Sequence, residues 1–207
     1  MKSIFLAALL CLSLCAGAQL HWAIKAGGQF NTASYKMDGA KLDASGIAGF
    51  NAGVLTKVYF DDKVAFVSGF LYNTRGFTVT DTVGKPRKTY HLNYAEIPIF
   101  LQVDLSSKKG AGFYCKAGPS LAIGIGGKQQ YTDMNGMRVR SKAIMSVTGN
   151  HFGLFDASLN AILGYSMNQK LFAELGYAYG IGNINNDPAG ANIKTRSLSL
   201  SVGYYLR

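Results

Sequence analysis

The chain is short of most things that usually identify a small exported protein. It has three cysteines, and only Cys115 lies beyond residue 15, so no intramolecular disulfide can hold the folded chain. After the first eighteen residues there is no apolar run of the roughly 18 or more residues that a membrane helix requires. Proline occurs only at positions 86, 98, 119 and 188. Charged residues make up 15% of the chain, whereas soluble surfaces carry about 25–35%.

Candidate chemistry is equally scarce. His21, His91 and His151 are far apart and match no zinc-binding spacing, so no metal or other cofactor is expected. Gly124-Ile125-Gly126-Gly127-Lys128 approaches a phosphate loop, but Ala122 replaces its first glycine and Gln129 its hydroxyl residue. No G-x-S-x-G elbow occurs. Ser141 or Ser146 could be paired with His151 as in a lipid-modifying barrel, but only because they share one loop. The chain therefore reads as a protein without enzymatic activity.

Lysine and arginine number 21 against 11 carboxylates, a formal charge of +10. The basic residues are scattered through polar strand faces and loops instead of clustering on one element with stacking aromatics, which excludes a nucleic-acid partner. An exported basic protein more readily meets anionic lipid or glycan.

Export is expected from the N-terminus. Lys2 precedes an apolar stretch from Ile4 to Leu14 and an Ala16-Gly17-Ala18 cleavage site, so residues 1–18 read as a signal peptide. Residues 19–207 then form the mature domain. The apolar stretch is short for a membrane anchor, and the leucines before Cys11 and Cys15 do not suit a lipoprotein signal.

What the chain does have is alternation. From Tyr90 to Leu105, Ala95, Ile97, Ile99, Leu101, Val103 and Leu105 form one apolar row, against Tyr94, Glu96, Pro98, Phe100, Gln102 and Asp104. Period two means an extended strand with unlike faces. Seven further segments share the pattern, around residues 21–30, 50–60, 64–75, 113–126, 155–165, 171–180 and 197–206. Connections after the even-numbered segments are short. Those after the odd-numbered ones are long: roughly Asn31–Ser45, Asp81–Lys88, Lys128–Asn150 and Gly182–Lys194.

Short turns at one end and long loops at the other mark an all-β, eight-stranded, antiparallel up-and-down transmembrane barrel in the outer membrane, with both termini periplasmic. A soluble lipocalin-like carrier would bury the apolar rows and expose the polar ones. Here the polar rows are mostly Gly, Ser, Ala and Asn with about one charge per strand, which suits the inside of a narrow barrel. The lumen would then hold Lys25, Lys57, Arg75 and Lys116 against Glu96, Asp156 and Glu174, with Asp104 near the lower rim. Buried charges persist only when paired, so these residues should form a structural ion network that closes the barrel to ions. Pro98 lacks an N–H and predicts a bulge beside Glu96.

Three segments carry a resemblance. Asn93-Tyr94-Ala95-Glu96-Ile97-Pro98-Ile99, Ala117-Gly118-Pro119 and Gly176-Tyr177-Ala178-Tyr179-Gly180-Ile181-Gly182-Asn183-Ile184 resemble motifs of the PorT-like outer-membrane β-barrel family of Bacteroidetes. The resemblance implies the same eight-stranded barrel. It also implies, as an alternative function, a component of a surface-protein secretion or gliding apparatus.

The primary expectation is a structural or interaction protein of the cell envelope. Its partners would be outer-membrane lipid or lipopolysaccharide, and other envelope or secretion proteins. Anion contacts are expected from the basic loops, through Lys85, Arg87 and Lys88 in one and Arg138, Arg140 and Lys142 in the other.

Overall fold

The computed structural model describes residues 20–37, 40–42, 44–79, 88–106, 111–132, 137–146, 152–167, 169–185 and 192–206. The expected signal peptide lies outside the described residues.

Eight long strands form the wall. They are β1 (Leu20–Met37), β2 (Ala44–Tyr59), β3 (Val64–Val79), β4 (Lys88–Asp104), β5 (Gly112–Thr132), β6 (Phe155–Met167), β7 (Leu171–Gly180) and β8 (Asn192–Leu206). Each pairs antiparallel with its sequence neighbour, and β1 pairs with β8 from Trp22↔Leu206 to Lys36↔Asn192. That last pairing closes the sheet, so the described wall has no free edge. Two short segments extend it: Ala40–Leu42 pairs with the end of β1, and Arg138–Lys142 with the end of β5.

The apolar rows point outward. In β4, Ile97, Ile99 and Leu101 are 42%, 39% and 50% exposed, whereas Glu96, Phe100 and Gln102 are at most 4% exposed. Every other wall strand also has exposed apolar residues alternating with buried ones, as with Leu198, Leu200 and Val202 against Ser197 and Ser201 in β8. Apolar outside and polar inside is the reverse of what water solubility needs, and it is the signature of a barrel in lipid. Trp22, Phe60, Phe113, Tyr165 and Tyr204 face outward near the rim that holds the chain termini, with the Phe113 and Tyr165 rings 4.8 Å apart. Such rings suit a bilayer interface.

The wall is taller than its apolar pattern. Residues expected in the Asn31–Ser45 loop continue β1 to Met37. The expected Lys128–Asn150 loop begins as a hairpin, because β5 runs to Thr132 and returns as Arg138–Lys142. The ladder continues there beyond the apolar outer row, while buried Ala33 and Ile193 still pack into the lumen.

Pro98 does not sit at a bulge. Ser68↔Ile99 and Leu71↔Glu96 on one side, and Pro98↔Ser120 and Leu101↔Ala117 on the other, keep one register throughout. Pairing lapses beside Glu96 without a slip. Gly69 (φ +153°) stands opposite Pro98, and Gly118 (φ +155°) opposite Phe100, so flexible neighbours absorb the missing N–H. The register shift falls higher, where Asn93 pairs with Gly126 and Tyr94 with Gly124, leaving Ile125 as the extra residue. A second shift separates Gly46 from Asn51 in β2.

A Cβ at Gly118 would collide with the Ile99 carbonyl oxygen, whereas one at Gly28 would meet nothing within 4 Å. Gly118→Ala should therefore cost about 1–3 kcal/mol. Gly28→Ala should change stability by less than about 0.5 kcal/mol. Urea midpoints for refolding into lipid vesicles check both, and equal midpoints would contradict the packing described.

Candidate functional site

Two regions can carry function: the lumen and the rim opposite the termini, called here the loop rim. In the lumen, buried Lys25, Lys57, Arg75 and Lys116 face buried Glu96, Asp104, Asp156 and Glu174, four charges of each sign. Alternation delivers each one inward.

At mid-height, Glu174 accepts from Lys25 Nζ at 2.8 Å, from Lys116 Nζ, and from the Tyr114 hydroxyl at 2.8 Å. Nearer the loop rim, the Arg75 guanidinium bridges Glu96 and Asp156, donating to Asp156 Oδ2 at 2.6 Å. Asn73 Nδ2 also donates to Glu96, at 2.7 Å, and Thr195 Oγ1 to Asp156, at 3.0 Å. The first trio has one excess positive charge and the second one excess negative charge, so each suits the other.

Lys57 is held differently, near the terminal rim. Its Nζ donates to Tyr205 Oη at 3.2 Å and lies over the Tyr59 and Tyr205 rings at 4.8 and 4.4 Å. Asp104 accepts from Tyr59 Oη at 2.9 Å and from Gln102 Nε2 at 2.6 Å.

Apolar side chains fill the remaining space. Leu55, Val67, Leu71, Phe100, Ile162 and Phe172 pack around the lower polar groups. Above Arg75, Phe77, Leu92, Tyr94, Ala122, Ile184 and Ile193 form a second cluster with Ala143, and Met145 and Phe152 pack onto it. The segment after Lys142 is tied down across the mouth: Ala143 N donates to Gly127 O at 3.0 Å, Phe152 N to Ile144 O at 3.2 Å, and Gly153 N to Ile184 O at 2.6 Å. A cavity of about 50 Å³ remains beside Lys25, Asn51, Arg75 and Glu96. That is room for one or two waters, not a permeant solute.

At the loop rim the expected anion contacts separate. Lys85 and Arg87 lie outside the described residues. Lys88 pairs with Tyr131, on the strand face that continues into buried Leu92, so it stands over the mouth. Arg140 and Lys142 are on the opposite, outer face, and Arg138 shares their register. Lys128 and His91 join them there, and Lys36 lies near the loop end of β1 and Lys194 and Arg196 near that of β8. Lys128 opens the basic loop expected to contact anions, whereas His91, Lys36, Lys194 and Arg196 were outside the expected set, because a register shift and two strand extensions place them. His151 lies outside the described residues, and Ser141 Oγ accepts from Gln129 Nε2 at 2.7 Å. Among the described residues no group of His, Cys, Asp and Glu could hold a metal ion.

The sequence matches the family described as outer membrane protein beta-barrel domain over residues 16–186. No curated protein sequence matches. Among solved structures, Ail, the attachment invasion locus protein of Yersinia pestis, in complex with the heparin analogue sucrose octasulfate, is 17% identical with a TM-score of 0.47. That alignment covers 91% of this chain and 99% of Ail. Neisserial surface protein A is 13% identical with a TM-score of 0.45, covering 88% of this chain and 96% of that one. The outer membrane protein OprG from Pseudomonas aeruginosa is 13% identical with a TM-score of 0.38, covering 92% and 97%.

Glu174 is the common acceptor of two buried ammonium groups. Glu174→Gln should cost about 3–5 kcal/mol, because a buried cation is left without its counter-charge. Adding Lys116→Met should recover part of that loss. Urea unfolding in vesicles measures both, and a Glu174→Gln barrel with the wild-type midpoint would contradict the pairing.

Proposed function

The chain belongs to the outer membrane protein beta-barrel domain family, and from that premise we propose that it is a non-conducting structural or interaction protein of the cell envelope. The loop rim faces the cell exterior and the termini face the periplasm, as short turns and long loops sort in such barrels. Its partners are anionic outer-membrane lipids, met through basic residues above the apolar belt.

The observation that carries this reading is the filled lumen. Ion pairs, tyrosines and two apolar clusters occupy the described interior up to the level of Phe77, Leu92 and Ile193. An eight-stranded barrel is narrow enough for its own side chains to fill.

The resemblance to the PorT-like family supports the same architecture. Its most distinctive segment places Tyr94, Glu96 and Pro98 in the lumen and Ile97 and Ile99 toward lipid. The motif residues of this segment serve barrel packing and the lipid-facing surface, which supports the envelope reading over a secretion component.

Planar-bilayer recording tests the proposal. Purified barrel that shows heat-modifiable gel mobility should give no unitary conductance steps in molar salt. Reproducible steps from the folded form would overturn it.

A further inference from the structure

The register shift in β5 has a consequence for the outer surface. Below it, Leu121 and Ile123 face outward beside Ile97 and Ala95. Ile125 is the extra residue, and Gly126 takes φ +145°, a conformation that favours glycine. Above the shift the parity is reversed. Gly126, Lys128 and Gln130 now stand opposite Asn93, His91 and Thr89 on the outer face, while Gly127 packs inward against Leu92 and Ala143. A one-residue slip sends every following side chain to the other face. Without the bulge, Lys128 would point over the mouth of the barrel.

On its other edge Lys128 pairs with Lys142, and Gln130 with Arg140. His91, Lys128 and Lys142 thus form one row across three adjacent strands, about 4.8 Å apart from strand to strand. Arg140 stands two residues farther out on the same face, and all four residues are exposed. Like charges directly opposite one another destabilise a sheet. No described carboxylate offsets them: Asp61 and Asp62 are at the other rim, and Glu96, Asp104, Asp156 and Glu174 are in the lumen. The row is a built concentration of positive charge.

Its position selects the occupant. On β5 the outward residues below Lys128 are Gly126, then Ile125 and Ile123, 56% and 43% exposed. From Ile125 to Lys128 the strand climbs about 10 Å. That moves from acyl chain to headgroup level on one continuous face, so an anion reaching the row from a lipid already in contact with these isoleucines needs no further reach. Lys36, Lys194 and Arg196 add further basic residues near the loop ends of β1 and β8, across the barrel.

We propose that His91, Lys128, Arg140 and Lys142 bind the phosphates of an anionic, phosphorylated glycolipid in the outer leaflet, and that the bulge at Ile125 builds this site. The inference rests on the reading that the loop rim faces the cell exterior. Arginine offers paired donors to a phosphate and lysine a compact charge.

The full chain, refolded in nanodiscs of phosphatidylcholine with or without diphosphorylated lipid A, tests this by native mass spectrometry of retained lipid. Lys128→Gln with Lys142→Gln should weaken lipid A retention by about tenfold or more, since two charge-assisted contacts are lost. Lys63→Gln with Lys170→Gln, at the opposite rim, should leave it unchanged. Equal retention by wild type and the Lys128/Lys142 variant, both with heat-modifiable mobility, would overturn the site. So would full displacement of lipid A by millimolar inorganic phosphate, which would mark a soluble-anion site instead.

A Met137→Cys probe in a Cys115→Ser background separates this from the underlying reading. Labelling by an impermeant maleimide on intact cells is expected. Labelling only after permeabilisation would overturn the orientation, whatever the lipid result.

Discussion

A peptide group in hydrocarbon has no water to bond with, so every N–H and C=O within the bilayer must find a partner in the chain. The fifteen consecutive pairs between β1 and β8, from Trp22↔Leu206 to Lys36↔Asn192, meet that demand by joining the first wall strand to the last. The remaining architecture follows from this closure. With eight strands the circumference is small, the lumen is narrow, and inward side chains must fit against one another across it. The glycines and serines on the inward rows of β5 to β8 are therefore space-making residues. Gly164 lies against the Tyr114 ring and Gly203 against Phe172.

Closure also explains why so many charges are buried in a chain with so few. Outward positions must be apolar, which leaves polar strand residues only the lumen. An unpaired charge there would be costly, and the cost is met by matching four cations with four carboxylates and by surrounding them with tyrosine hydroxyls and amides. Arg75 and Glu96 lie on adjacent strands, but other partners in the two trios are far apart in sequence: Lys25 from Glu174 by 149 residues, Arg75 from Asp156 by 81. These distant contacts form only as the sheet curls and closes, so they reinforce the same closed state that the β1–β8 ladder requires.

This difference in sequence separation decides what could be read in advance. Which residues face inward is a local property, set by parity, and Lys25, Arg75, Glu96, Lys116, Asp156 and Glu174 can each be assigned to the lumen from immediate neighbours. Which cation meets which carboxylate depends on shear and strand order around the closed wall, which no local pattern carries. The same limit applies to height. Strand ends at Met37 and Thr132 extend beyond any apolar alternation, because the ladder persists where the amphipathic environment does not. Val67 and Leu71, which blur the polar face of β3 as a sequence, are lumen residues that pack with Phe100 and Phe172.

Pro98 and Ile125 show how an irregularity is assigned its place. A missing N–H at Pro98 suggests a bulge, yet Gly69 and Gly118 flank it on both neighbouring strands and the register passes through unchanged. A slip at Pro98 would have reversed the parity of every residue beyond it, turning Ile97 into the lumen and the Glu96 carboxylate into lipid. The charge network forbids that. The slip is tolerated only above the last apolar residue, at Ile125, where reversed parity exchanges Gly127 for Lys128 on the outer face. There the change in parity that would break the barrel lower down instead turns Lys128 to the outer face, as the proposed lipid-phosphate site requires.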